Sequence, residues 1–321
     1  MGFDVSYHPI DLDIMKRVAA YVAGRDDLRS LVAEGCVREA CRFRAKAWGL
    51  GMLEATRKAP SPRVDASVHV WGRPFLVDGD TPDQVSSAID RYLGARTDAE
   101  VDALAAAHVA KLLPGIAVKP DMEEGLPSGA ELEDLVLRDL NVLPAVFAAA
   151  REGKELVTLP SGEDVDPAGV LASSYPFLGL AFMARFRPGW MDRGHVWPTL
   201  LMEEAGLSTR AFFEPPIALF HDLLAELPKA TATTIVSRLS PTIVENYMIG
   251  GFVPAERVGD LRALLRANRE KLLAKPKAED WADECAVSLQ KLDEALADAA
   301  ARKLAFAEGT EIYSGPMGIV N

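Results

Sequence analysis

Apolar residues recur at helical spacing along most of this chain. Near its end Val258, Leu261, Leu265 and Leu272 fall on one helical stripe. After a Lys275-Pro276-Lys277 break, Trp281, Cys285, Leu289, Leu292, Leu296 and Ala299 fall on another. Glu, Asp, Arg and Lys occupy the opposite faces, which read as solvated surface. Two amphipathic helices across a short proline-containing link predict an αα-hairpin. Two earlier helices announce their starts with capping boxes, Thr81-Pro82-Asp83-Gln84 and Thr97-Asp98-Ala99-Glu100. Further helices are expected over 11–23, 27–57, 131–151, 198–206 and 215–227, and on weaker periodicity over 241–249.

Strand patterns are sparse. Residues 64–71 alternate, with Val64, Ala66, Val68 and Val70 on one side and Asp65, Ser67, His69 and Trp71 on the other. Residues 74–80 could return beside them as a hairpin arm. Short strands are also expected at the opening FDVSYHPI, where Pro9 disfavours helix at His8, at 155–159 and at 311–320. The predicted fold is α+β: predominantly α-helical, with a small antiparallel sheet and the C-terminal αα-hairpin. The Pro-, Gly- and acid-rich stretch 119–131 suggests a boundary between an N-terminal α+β part, 1–125, and a mainly helical part, 126–321. One intimate unit fits the pattern equally.

Charge narrows the functional classes. The net charge is −12 over 321 residues, which disfavours phosphate backbones and anionic membrane surfaces, since both attract concentrated Lys and Arg. It suits a basic protein partner, whose approach the field would steer. Three cysteines, Cys36, Cys41 and Cys285, form no disulfide framework and no C-x-x-C, so a reducing compartment is expected. The opening residues lack a basic stretch followed by an apolar one, and no apolar run suggests a membrane span. A cytoplasmic location follows as the expectation.

Aromatic residues gather between Ser173 and His221, a stretch of 49 residues holding six of twelve Phe and two of five Trp. Within it Arg185, Arg187 and Arg193 interleave with Phe182, Phe186 and Trp190, and Asp192 and Trp197 lie close by. Arginine over aromatic rings can bind carboxylates, phosphates or flat ligands, or can cover the rim of a core. Arg185, Phe186, Arg187, Trp190, Asp192, Arg193 and Trp197 are therefore the candidate binding residues, expected as a partly exposed anchor surface.

Histidines are the candidates for chemistry. His195 stands between two tryptophans in a Gly- and Pro-broken turn. His8, with Asp4 and Tyr7, could form a relay or supply metal ligands, and His69 could complete a site beside it. His108 and His221 read as core or helix-end residues. The patterns of zinc proteases, calcium loops, nucleophile elbows and phosphate-binding loops are all missing, so no metal and no cofactor are expected.

Two passages carry a resemblance: the opening MGFDVSYHPI, and ENYMIGGFVPAERVGDLRALL over 245–265. They are similar to stretches in uncharacterised bacterial cytosolic proteins, some of them suspected immunity proteins of polymorphic toxin systems. Read physically, Gly250-Gly251 followed by Pro254 is a turn into a capped helix. The sequence thus predicts a protein-binding protein, with toxin neutralisation as its sharpest form. The alternative is a small-molecule enzyme using His195, with His8 and His69 as acid/base or metal ligands.

Overall fold

The computed structural model describes residues 3–39, 81–95, 97, 99–100, 103–104, 106–107, 129–187, 189–194, 197–274 and 282–312. Its centre is a four-stranded antiparallel sheet in the order β4-β1-β6-β5. The strands are β1 (Phe3–Ile10), β4 (Trp190–Gly194), β5 (Ile249–Val253) and β6 (Ala305–Thr310). A separate two-stranded hairpin joins β2 (Val157–Thr158) to β3 (Asp164–Val165). β1 is central and pairs with β4 from Phe3 to Tyr7 and with β6 from Val5 to Ile10. Pro9 falls beyond the β4 pairing, at the open end of that ladder, where a missing N–H is tolerated.

Alternation along β1 sends Val5 and Tyr7 to one face and His8 and Ile10 to the other. Both faces are covered by helices, so the sheet is the middle layer of three. On the Ile10 face lie α1 (Leu12–Val22), α2 (29–39) and the long helix Pro167–Phe186. The helices are numbered in chain order: α3 is Pro82–Gly94, α4 Gly129–Leu140, α5 Val142–Arg151 and α6 Pro167–Phe186. They continue with α7 (Pro198–Glu204), α8 (His221–Leu224), α9 (Lys229–Arg238), α10 (Ala255–Ala267), α11 (Arg269–Leu273) and α12 (Ala282–Arg302). α4, α5 and α6 join the Ile10 face, while α3, α7, α10, α11 and α12 build the core over Val5, Tyr7, Trp190 and Phe306.

The expected C-terminal pair is present, its first arm broken at Asn268 into α10 and α11. Val258, Leu261, Leu265 and Leu272 meet Cys285, Leu289, Leu292, Leu296 and Ala299 in one buried cluster. Both capping boxes close as expected. Thr81 and Gln84 exchange bonds of 3.2 and 3.4 Å, and Thr97 and Glu100 exchange bonds of 3.0 and 3.3 Å. The fold is α+β and mostly helical.

Other expectations change. Helix 131–151 is two helices, α4 and α5, meeting at Asn141. Residues 215–227 form a 3₁₀ turn, Pro216–Phe220, running into the short α8. Residues 241–248 are an irregular loop rather than a helix. The last described strand is β6 at 305–310, ahead of the expected 311–320, of which only the first two residues are described. The strand pair at 64–80 lies outside the described residues.

Gly250 and Gly251 are not a turn. They stand inside β5 at a register shift between Ile249 and Phe252. A Cβ on Gly250 would lie 2.7 Å from Ile243 and 2.8 Å from the Glu308 carboxylate, and one on Gly251 would collide with the Phe213 ring. Glycine is required there by close approach. Pro254 does precede a helix, α10.

The largest omission is α6, apolar on nearly every side. Its 20 residues make it long and apolar enough to cross a membrane, contrary to the expectation from the sequence, and it is mostly buried. Asp166 caps its first turn by accepting from the Ala168 N–H at 3.0 Å, and Pro167 occupies the first helical position. Tyr175 in its middle donates to the Leu219 carbonyl at 2.8 Å.

Candidate binding site

The stretch from Phe182 to Trp197, expected as a partly exposed anchor surface, is largely turned inward among its described side chains: Phe182, Phe186 and Trp190 are buried, and Arg185, Arg187, Asp192 and Trp197 are half-buried. Trp190 is fully buried and donates its indole N–H to Glu294 at 3.0 Å. Asp192 accepts from Ser288 and from Lys291, the latter at 3.1 Å. Arg185 pairs with Glu39 at 3.0 Å. Arg187 grips Asp298 through two nitrogens and reaches Asp90 at 3.0 Å. Arg302 bonds Asp298, Asp90 and Ser86, closing a ring of alternating charges.

The physical reason lies on α12. Ser288, Lys291, Glu294 and Asp298 are buried beside its apolar stripe. These polar residues, which pattern alone assigns to solvent, turn inward and draw Arg187, Trp190 and Asp192 with them. Phe182 and Phe186 pack edge to face at 5.4 Å in the core. Phe186 and Arg187 also line a cleft.

The histidines do not converge among the described residues. His8 is buried, with Nε2 2.8 Å from the Ser6 hydroxyl. A Cβ on Gly189 would stand 2.5 Å from His8 Nδ1, so the backbone presses directly on the ring. Tyr7 points to the opposite face of β1 from Asp4 and His8, which breaks the proposed relay. His221 is exposed beside Asp222 at 3.4 Å. His69, His108, His195 and the Arg193 side chain lie outside the described residues. Among the described residues no three His, Cys, Asp or Glu are placed to hold a metal ion.

Trp197 leads instead to a second constellation. Its indole N–H donates to the Thr242 hydroxyl at 3.3 Å, and Thr242 meets the Thr199 hydroxyl at 2.5 Å. Thr199 in turn bonds Glu308, through its hydroxyl at 2.5 Å and its backbone N–H at 3.1 Å. The Gly251 N–H adds another donor to Glu308 at 3.1 Å. Burial raises the Glu308 carboxyl to about 7, against the opposing pull of these donors. One fully buried side chain thereby ties β6, β5, α7 and residue 242 together.

Above this base runs the loop between α9 and β5. Thr310 fixes it from the sheet: its hydroxyl donates to the Glu245 carbonyl at 3.2 Å, and its N–H to the Met248 carbonyl at 3.0 Å. Met248 sulfur accepts from the Val244 and Glu245 N–H groups, both at 3.3 Å. The tip is nevertheless bare. Val244 is 67% and Tyr247 57% exposed. Tyr247 has φ +59°, the left-handed region that disfavours bulky residues, and its ring stands edge-on to Phe177 at 5.8 Å.

Residue pattern gives little sign of this site. Glu308 sits in Ala-Phe-Ala-Glu-Gly-Thr, where the shared side of Phe306 and Glu308 was the one available hint. Tyr247 lies in the 245–265 passage that carries the resemblance, but its backbone conformation is invisible in sequence. Compared with known proteins, the chain matches no family model, no curated protein and no solved structure.

Proposed function

We propose that this protein is a cytoplasmic, acidic protein that binds another protein, basic in charge, through the loop tip at Val244–Tyr247. The observation that carries the reading is Tyr247, an aromatic ring held exposed in a backbone conformation that costs about 1–3 kcal/mol for a non-glycine residue. Rigid aromatic anchors dominate interface energetics because little rotamer freedom is lost on binding. The bond that the Thr310 hydroxyl donates and the one that the Met248 sulfur accepts supply that rigidity. Exposed Glu245 and the net charge of −12 favour a cationic partner. Buried, free Cys36 and Cys285 suit a reducing compartment. Toxin neutralisation is the sharpest form of this reading.

The test is quantitative. A basic protein that co-purifies at low ionic strength is titrated against the native chain, Tyr247→Gly and Val244→Ser. Tyr247→Gly is expected to weaken binding at least tenfold while melting at or above the native temperature, because glycine relieves the left-handed backbone. In the toxin form, the native chain restores growth when co-expressed with its partner and Tyr247→Gly does not. Equal affinity of native and Tyr247→Gly chains would refute the reading.

A further inference from the structure

A cleft of about 610 Å³ opens between the end of β1, α1, α2, α3, the end of α6 and the end of α12. That volume falls within the roughly 300–1,000 Å³ of small-molecule sites. Arg38, Arg187 and Arg302 line it together with Phe186, Leu93 and Leu304.

Hydrogen-bond accounting defines what would fit. A guanidinium carries about five N–H donors and no acceptor. Arg187 spends three on Asp298 and Asp90. Arg302 spends three on Asp298, Ser86 and Asp90. Arg38 spends two, on the Leu93 carbonyl at 3.2 Å and on Glu34 at 2.8 Å. The carboxylates at this wall are already engaged: Asp298 accepts four bonds, Asp90 two, and Asp11 caps α1. Among the described residues, donors are left over and acceptors are mostly spent. Asp298 and Asp90 also hold two of the guanidiniums in fixed orientations, so little ordering remains for a ligand to impose.

We infer that this cleft binds a small organic acid, its carboxylate or phosphate oxygens meeting Arg38 and Arg302 and its apolar body lying on Leu93, Leu304 and the Phe186 ring. The site is separate from the Val244–Tyr247 tip, and either assignment can fail without the other.

Calorimetric titration of the full chain with benzoate, phenyl phosphate, inorganic phosphate and neutral benzyl alcohol tests it. Benzoate or phenyl phosphate is expected to saturate one site per chain, and which of them binds tighter separates carboxylate from phosphate recognition. Benzyl alcohol is expected not to bind, and inorganic phosphate to bind at least tenfold more weakly than the better organic anion. Arg38→Gln should weaken the better ligand at least tenfold, while Arg138→Gln, an exposed arginine outside the cleft, changes nothing. Gly94→Phe is the second variant. A Cβ at Gly94 meets no atom within 4 Å, so a ring there fills the cleft without displacing the fold, and binding should vanish with the melting temperature kept. No saturation by either organic anion at millimolar concentration would overturn the assignment. So would benzyl alcohol or inorganic phosphate binding as tightly as the organic anions, or unchanged affinity in both cleft variants.

Discussion

Glu308 concentrates the physics of the molecule in one side chain. Ionised, it accepts a hydrogen bond from the Thr199 hydroxyl, and Thr242 then donates to Thr199. Protonated, it donates to Thr199, and the direction of that pair reverses; the Trp197 N–H, donor only, stays fixed at the far end. Because burial raises its pKa from an ordinary 4.5 to about 7, the folded state holds a proton that the unfolded chain releases between those values. Stability from this group is therefore full below about pH 4.5 and falls by about 1.4 kcal/mol per pH unit until about pH 7, then levels. Glu308→Gln cannot titrate, so the native and variant unfolding free energies should converge or diverge steadily across that window, whatever the variant's absolute stability. A constant difference from pH 5 to 7 in denaturant titrations would show that Glu308 does not titrate there.

At the level of the element, α12 decides the interior. Its apolar stripe was legible in the sequence, as were its pairing with α10, the strand at the opening and both capping boxes. Each of these depends on spacing within a few residues. What could not be read depends on distant partners. Ser288, Lys291, Glu294 and Asp298 look like a solvated face until Arg187, Trp190 and Asp192 arrive from about a hundred residues away. α6 hid for the converse reason: buried on nearly all sides, it has no polar face to set a period. Of the candidate residues, Phe186 and Arg187 reach a cleft and Trp197 reaches the base of the exposed loop, while Trp190 and Asp192 are held inside. The ring joining Arg187, Asp298, Arg302 and Asp90 fastens α6, α12 and α3. Arg187→Met removes two of the four bonds to fully buried Asp298, which keeps Arg302 and Ser86, so it should cost about 1.5–3 kcal/mol in chemical denaturation. A loss under about 1 kcal/mol would mean that the pairs merely rest on the surface.

Taken whole, the protein is a sheet between two helical layers, with the two proposed binding features at different places on the rim. The loop tip at Val244–Tyr247 belongs to the β5 edge; the arginine cleft opens where α2, α3, α6 and α12 come together. The sheet has an unusual dependence on chain order. β1, the opening strand, lies between β4 and β6, whose residues follow roughly 180 and 300 positions later. A chain stopped after Lys303 lacks β6 and leaves β1 and β5 with open edges, so it should accumulate as insoluble material while the full chain stays in solution. Recovery of the shortened chain as a folded, soluble monomer would contradict that expectation.

The placement of β1 also bears on biogenesis. A ribosome delivers β1 about 300 residues ahead of its β6 neighbour, an interval of tens of seconds at usual elongation speeds of about 5–20 residues per second. Throughout that interval the nascent polypeptide offers an unclaimed template to any other extended segment nearby. Assembly of the sheet therefore waits on residues synthesised some 300 positions after its central strand.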